Sequence, residues 1–426
     1  MFGIIKQKIS KLYSTGALHI TIGTFITKFV AFFGSIFVVR LLSKEDYGLM
    51  SYVENIYSYA LVFAALGLSN ALLRYLIIAE NEKKKKSYFE YIIKNSFIRN
   101  VIILLIMILV SMFVSFPENY AEAKKWIPVV ALLLPFQDLV NDDLFTLRAF
   151  FKNKLYAYAS FAISTALIAG RIAGAVFAGV GGVLWSRVII NFICGSLGYY
   201  YVKKKLFVSE TVEKLTPPEA KIVNSYSLQY MITNGFWALF MLNDTFLIGM
   251  LLNDPAALAD YKVAYVLPGN ISIFANAIGI FVAPYFTKNE KDSSWVRRNY
   301  KKVFALNALI VGGITLLVIV LGRFLISTMY GEQYLNIVPL MQVLLVAAFM
   351  NSGLRYTTAN LLSAMGEVKY NMYVSAGGVI LQIVADLIFI PRFGTYAVAI
   401  ANCVIYLLMA VALYITFNKK FLTNRG

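Results

Sequence analysis

YVKKKLFVSETVEKLTPPEAK, residues 201–221, is the polar run that decides how this chain folds. Lys203-Lys204-Lys205 stand at its head and Pro217-Pro218 near its end, and six long apolar stretches lie on either side. They fall at 17–42, 48–78, 92–116, 125–149, 154–178 and 181–202, then at 222–251, 259–286, 300–322, 335–362, 370–390 and 396–418. Nearly all reach the roughly 20 apolar residues that a bilayer core demands. The expectation is an all-α polytopic membrane protein with twelve transmembrane helices. It divides into an N-terminal six-helix lobe (1–202), a cytoplasmic linker (203–221) and a C-terminal six-helix lobe (222–426).

Composition and charge agree with that division. Hydrophobic residues make up 59% of the chain and charged ones 14%, where a soluble protein carries roughly a quarter. The loops before the odd-numbered spans with the span ends beside them, together with the C-terminal tail, hold 27 of the 39 basic residues, and the alternate loops with their span ends hold 7. Lys and Arg are retained on the cytoplasmic side, so the pattern places both termini there. The net charge of +17 therefore reads as topology and as attraction to anionic lipid headgroups, with no nucleic-acid partner implied. The apolar run that follows Lys6, Lys8 and Lys11 is too long for a signal peptide and reads as the first membrane helix. Cys194 and Cys403 both lie within spans and imply no disulfide framework.

The two halves read as repeats. Asp46-Tyr47 recurs as Asp260-Tyr261, while Ala149, Lys154, Tyr158 and Ser160 recur as Ala364, Lys369, Tyr373 and Ser375. Gly179 and Val183 recur as Gly394 and Val398. With an even number of spans per repeat, both halves cross in the same sense, and a pseudo-twofold axis runs along the membrane normal.

Charge inside a span costs about 2.5–3.5 kcal/mol on insertion scales and so points to function or to a buried partner. Lys28 lies near the middle of span 1 on the face of Thr21, Thr24 and Ser35. It either attracts an anion in a wet cavity or pairs with an acid on a neighbouring helix. Arg74 and Arg355 occupy the inner halves of spans 2 and 10, where they either snorkel to headgroups or join Lys28 on substrate. Arg171 and Arg187, near the outer ends of spans 5 and 6, read as snorkelling residues. Among the acids, Asp138 and Asp142 share a face of span 4, and such a pair can bind a proton or a sodium ion or pair with a base. Asp143 points elsewhere, toward the inner rim. Glu54 is a third candidate for ion coupling. Tyr230, Trp237 and Asp244 share a face of span 7, which suits either sugar contact or packing. Pro268-Gly269-Asn270 marks a candidate hinge in span 8. One histidine, with no nucleophile elbow, zinc-ligand spacing or phosphate-cradling loop, argues against an enzyme.

The run Arg40-Leu41-Leu42-Ser43-Lys44-Glu45-Asp46-Tyr47-Gly48 resembles the outer-loop signature of bacterial polysaccharide flippases. These belong to the multidrug/oligosaccharidyl-lipid/polysaccharide exporter superfamily. Asn243-Asp244 through Ile248-Gly249, Tyr261 and Ala264, and Tyr330-Gly331-Glu332-Gln333-Tyr334 are similar to further parts of that pattern. The resemblance implies a V-shaped, alternating-access transporter of the bacterial inner (cytoplasmic) membrane. It would carry a polyprenyl-pyrophosphate-linked oligosaccharide to the outer leaflet for cell-surface polysaccharide assembly. Its partners would be membrane lipids and polysaccharide-assembly proteins. It implies no cofactor, with coupling by proton, sodium or membrane potential. Lys28 and Arg74 match by location the basic residues that meet pyrophosphate in such cavities. The substrate-binding candidates are thus Lys28, Arg74, Arg355, Asp244, Tyr230 and Trp237, and the ion-coupling candidates Asp138, Asp142 and Glu54. The rival readings are a cation-coupled multidrug or metabolite antiporter of the same superfamily and a non-transporting scaffold. A membrane glycan polymerase or acyltransferase would need a large outer loop or a membrane histidine.

Overall fold

A computed structural model describes residues 17–207 and 213–422, without the side chains of 17–26, 233, 234, 236, 237, 280, 284, 368 and 422. Thr21, Thr24 and the Trp237 side chain therefore lie outside the described residues, as do Lys6, Lys8 and Lys11. Among the described residues there is no strand. Eight helices are long and apolar enough to cross a membrane.

All twelve apolar segments are helical. In the first half they are α1 (Ala17–Leu41), α2 (Lys44–Val62) with α3 (Leu68–Ile78), α4 (Glu82–Phe113), α5 (Ala123–Ala131) with α6 (Leu133–Ala149), and α7 (Asn153–Lys205). The 53-residue α7 supplies two crossings, because its backbone leaves helical geometry at Ala178 and Gly179. The second half holds α8 (Pro217–Leu252), α9 (Pro255–Lys288), α10 (Ser293–Tyr330), α11 (Val338–Ala348) with α12 (Tyr356–Ala364), α13 (Val368–Phe393) and α14 (Thr395–Phe417).

Local chemistry sets the helix starts. Ser43, inside the Arg40–Gly48 run, caps α2 by accepting from the Asp46 amide at 3.0 Å. Asn81 caps α4, Asp254 caps α9 ahead of Pro255, and Asp292 caps α10. Each side-chain oxygen satisfies amides that have no partner within the helix. The exposed faces are apolar, as lipid contact requires: Leu309, Leu316, Val320 and Phe324 line one side of α10.

The proposed repeat reappears in the backbone. Gly179 (φ 56°, ψ −138°) and Gly394 (φ 61°, ψ −145°) adopt the same left-handed turn. Phe151 (φ 54°) and Gly366 (φ 81°), at the same separation, both follow the end of a helix in the left-handed region. Val202 and Phe417, again equivalent, are buried in the respective cores.

The breaks do not fall where the prolines suggested. The helix α9 continues through Pro268, whereas the second crossing breaks at Ala64–Gly67 and the tenth widens into a π-turn at Phe349–Arg355. At the first break Ala65 (φ 48°), Leu66 (φ 51°) and Gly67 (φ 79°) are left-handed in succession.

The chain forms two compact units, Met1–Leu242 and Asn243–Gly426, with the boundary inside α8. The first part of α8 belongs to the first unit through polar contacts. Arg99 donates to Asn224 Oδ1 at 2.6 Å, Asn224 donates to the Tyr91 hydroxyl at 2.8 Å, and Asn55 donates to the Leu242 carbonyl at 3.1 Å. At the basic loop, Lys84 pairs with Glu219 and the Thr216 amide donates to the same carboxylate at 2.9 Å.

The Lys84 ammonium, followed by the Thr216 amide, holds the Glu219 carboxyl down from its ordinary 4.5 to about 2. A depressed carboxyl stabilises the fold above its unfolded value and loses that contribution as pH falls from about 4.5 through about 2. Glu219→Gln will therefore free the start of α8 already at neutral pH. Protection of the Thr216 amide against hydrogen exchange, taken relative to the intrinsic rate at each pH, should fall toward the level that the native chain reaches only in acid.

Candidate functional site

In the first unit, α2, the break, α3, α6 and α8 line a partly open cavity of about 230 Å³. Its polar lining is Ser69, Asn70, Asp138, Asn141 and Tyr230, with Phe145 among the apolar walls. The break at Ala64–Gly67 forms part of its wall, with Ser69 and Asn70 at the start of α3 beside it. Gly67 itself lies against the Ser227 carbonyl of α8, an approach that only a residue without a side chain allows.

Polar side chains hold the break in place. Asn100 Oδ1 accepts from the Ala65 amide at 2.7 Å, and its Nδ2 donates to Asp138 Oδ2 at 2.6 Å. Arg99 reaches the Ala65 carbonyl at 3.5 Å. One turn beyond Asn70 on α3, the exposed Arg74 guanidinium lies over the Tyr226 ring at 5.1 Å. Tyr226 is in turn one helical turn from Tyr230 on α8. A cation and two phenol rings thus adjoin the polar cavity on its α3–α8 side.

Other sequence candidates are placed elsewhere. Lys28 is exposed on α1 and does not line this cavity. Glu54 receives Arg187 at 2.7 Å and Arg171 at 3.3 Å, so these two arginines pair with an acid and do not extend to headgroups. Arg355 does not snorkel either: it is 5% exposed and donates to Asn351 Oδ1 at 2.7 Å within the π-turn. Asp143 does not reach the rim. It is buried against Gly198 of α7, where a missing Cβ leaves room for the carboxyl.

Asp244 points into the second unit. Its Oδ2 accepts from the Tyr261 hydroxyl at 2.9 Å and from Asn402 at 2.8 Å, Oδ1 accepts from Gln382, and the Asp386 carboxyl lies alongside. Gln382 and Asn402 were not singled out in the sequence, and Asp386 counted there only as one of the acids within spans, although Gln382 and Asp386 are four apart within an apolar span, the same signal that exposed Asp138 and Asp142. Asn100, Asn70 and Asn141 escaped because a lone amide in a membrane helix costs too little to stand out.

Several known proteins resemble this chain. An uncharacterized membrane protein of Methanocaldococcus jannaschii is 24% identical over 429 residues, spanning 94% of this chain and 83% of the relative. The lipid II flippase MurJ, in an inward closed conformation, superposes with a TM-score of 0.71 at 15% identity, covering 95% of this chain and 89% of that one. A multidrug resistance MATE family transporter of the MOP superfamily, inward-facing, gives 0.68 at 12% identity, covering 96% and 99%. These solved neighbours are flippases and transporters, not enzymes, and the MATE fold is known in both inward- and outward-facing conformations. The family model for polysaccharide biosynthesis protein matches residues 37–339. This multi-pass membrane protein, with the MOP-superfamily fold, belongs to the polysaccharide biosynthesis protein family.

Proposed function

We propose that the protein is a flippase that moves a polyprenyl-pyrophosphate-linked oligosaccharide from the cytoplasmic to the outer leaflet of the inner membrane, with both termini cytoplasmic. The observation that carries this reading is the polar cavity lined by Asn70, Asn141 and Tyr230 and flanked by the Arg74–Tyr226 pair. Amides and phenols can exchange hydrogen bonds with sugar hydroxyls, aromatic faces can stack on sugar rings, and a guanidinium matches phosphate oxygens. Membership of the polysaccharide biosynthesis protein family supports a glycan-bearing substrate. On this reading the repeat halves 1–202 and 222–426 are the moving lobes and the carrier tail stays in lipid.

Flipping in proteoliposomes tests the proposal, with a fluorescent polyprenyl-pyrophosphate oligosaccharide and an impermeant reporter of outer-leaflet exposure. Arg74→Ala is expected to lower the rate about tenfold, one charge-assisted contact being worth about 1.5–3 kcal/mol. Arg74→Lys should restore only part of it, since an ammonium cannot make the planar two-point contact. Protein-dependent exposure that is identical in native and Arg74→Ala vesicles would remove Arg74 from the path.

A cation-coupled antiporter is the second reading, favoured by one observation. Asp244 and Asp386 are buried side by side in the second unit, with Tyr261, Gln382 and Asn402 as neutral donors. Two buried carboxyls in that setting call for a proton or a small cation. Cation-coupled dye efflux without glycan flipping would decide for this reading.

A further inference from the structure

We propose that Asp138, Asp142 and Ser69 form a binding site for a small monovalent cation, sodium or a proton, in the wall of the first unit's cavity. It is separate from the Asp244–Asp386 pair and stands whether or not the cavity carries a glycan.

The helix α6 makes the site. Residues four apart stand one above the other, with Cβ atoms about 5–6 Å apart, so Asp138 and Asp142 present both carboxyls to the start of α3. They are 5% and 1% exposed, and Asp138 and Ser69 line the cavity. The Ser69 hydroxyl, itself buried, stands beside both carboxyls yet closes no hydrogen bond with either. Asp142 Oδ1 is likewise buried without a hydrogen-bond partner among the described residues. Buried polar atoms are almost always partnered. Here the oxygens left over are one of the Asp142 carboxyl and the Ser69 hydroxyl, both able to accept a cation, with the Asp138 carboxyl beside them.

Neighbouring groups are committed elsewhere. Asn100 offers Asp138 only its Nδ2, because its oxygen is taken by the Ala65 amide. On α4, Arg99 turns to the Ala65 carbonyl and Asn224. On α7, Arg187 is drawn to Glu54. On α2, the Tyr57 hydroxyl donates to Gln137 at 3.0 Å. Asp143, on α6 itself, faces Gly198. Tyr230 of α8 faces the cavity. The described donor to the pair is thus a neutral amide, and two carboxylates in low dielectric repel unless a cation lies between them. Sodium would take both carboxyls and the Ser69 hydroxyl and complete its shell with water from the cavity, whereas a proton would be shared by the pair.

The position gives occupancy a consequence. Asn100 links Asp138 directly to the left-handed Ala65, so a cation that neutralises Asp138 weakens the acceptor that orients Asn100. The effect reaches the break that shapes the cavity.

The test uses the purified full-length protein without lipid-linked glycan, so that its outcome is independent of flipping. Radioactive sodium is titrated in alkaline buffer, and the infrared stretch of protonated carboxyls is followed with pH. Native protein is expected to bind sodium saturably, with Asp138→Asn and Asp142→Asn each weakening it at least about tenfold. Ser69→Ala, which removes one oxygen and leaves the packing, should weaken it several-fold. If the site takes only a proton, sodium will not bind there, and a titrating carboxyl band will vanish in Asp142→Asn. The proposal is overturned if folded Asp138→Asn, Asp142→Asn and Ser69→Ala proteins match the native one in both sodium binding and the carboxyl band.

Discussion

Gly67→Ala will destabilise the protein by about 2–5 kcal/mol, a loss large enough to depress the yield of folded protein. Two physical terms add. Gly67 has φ +79°, where an L-residue pays about 1–2 kcal/mol and where Ala65 and Leu66 already pay it. A Cβ there would also strike the Ser227 backbone carbonyl of α8, and backbone cannot swing aside as a side-chain tip can. Relief would require α8 to move out, opening the α3–α8 wall of the cavity and loosening Tyr226 from Arg74. Gly313→Ala is the control. It lies on α10, and an added methyl there would meet no atom within 4 Å, so it should be neutral or stabilising by about 0.5–1 kcal/mol. Thermal unfolding in detergent, followed by retention of the monodisperse peak, distinguishes the two. Equal melting of Gly67→Ala and native protein would show that the break is not held as described.

Asp244→Asn is the second large effect, although the change is isosteric. The carboxylate presents acceptors only, and it meets three donors: Tyr261, Asn402 and Gln382. An asparagine turns one of its two acceptor atoms into a donor, which must then face an amide or a hydroxyl that also donates. One buried donor is left unmatched at a cost of about 1–3 kcal/mol. Asp386 alongside loses its carboxyl neighbour as well. The expected result is a lower melting temperature and loss of any cation dependence of transport that arises in the second unit. Asn402→Asp, made on the Asp244→Asn background, restores an acceptor opposite the new amide and should recover part of the stability. A double variant no more stable than Asp244→Asn would show that hydrogen-bond polarity is not what the cluster depends on.

Much of the fold was legible because a membrane leaves few choices. Backbone polar groups must be satisfied within each crossing, so apolar length alone yields helices, and all twelve segments are helical. The repeat was legible for a different reason. A left-handed turn is tolerated best by glycine, so Gly179 and Gly394 survive as markers of equivalent corners. Asp138 and Asp142 were visible as a pair because a four-residue spacing in an apolar helix needs no tertiary knowledge.

The partners of these charges were not legible. Glu54 is held by Arg171 and Arg187, which lie 117 and 133 residues away, and nothing local in either arginine distinguishes ion pairing from snorkelling. Asp244 read as part of a stripe with Tyr230 and Trp237, because helical periodicity gives a face but not what that face meets. The break at Ala64–Gly67 was hidden for the same reason. Ala65 and Leu66 favour ordinary helix, and their left-handed turn is held by Asn100, from another helix, which captures the Ala65 amide.

By itself, then, the sequence determined the helical crossings and the residues that pay to be in the membrane, since each follows from transfer energies summed along the chain. The tertiary structure decided which charges are paired, where the second crossing breaks and which polar groups share a cavity. Those outcomes depend on directional hydrogen bonds between helices far apart in sequence, and a one-dimensional pattern carries no direction.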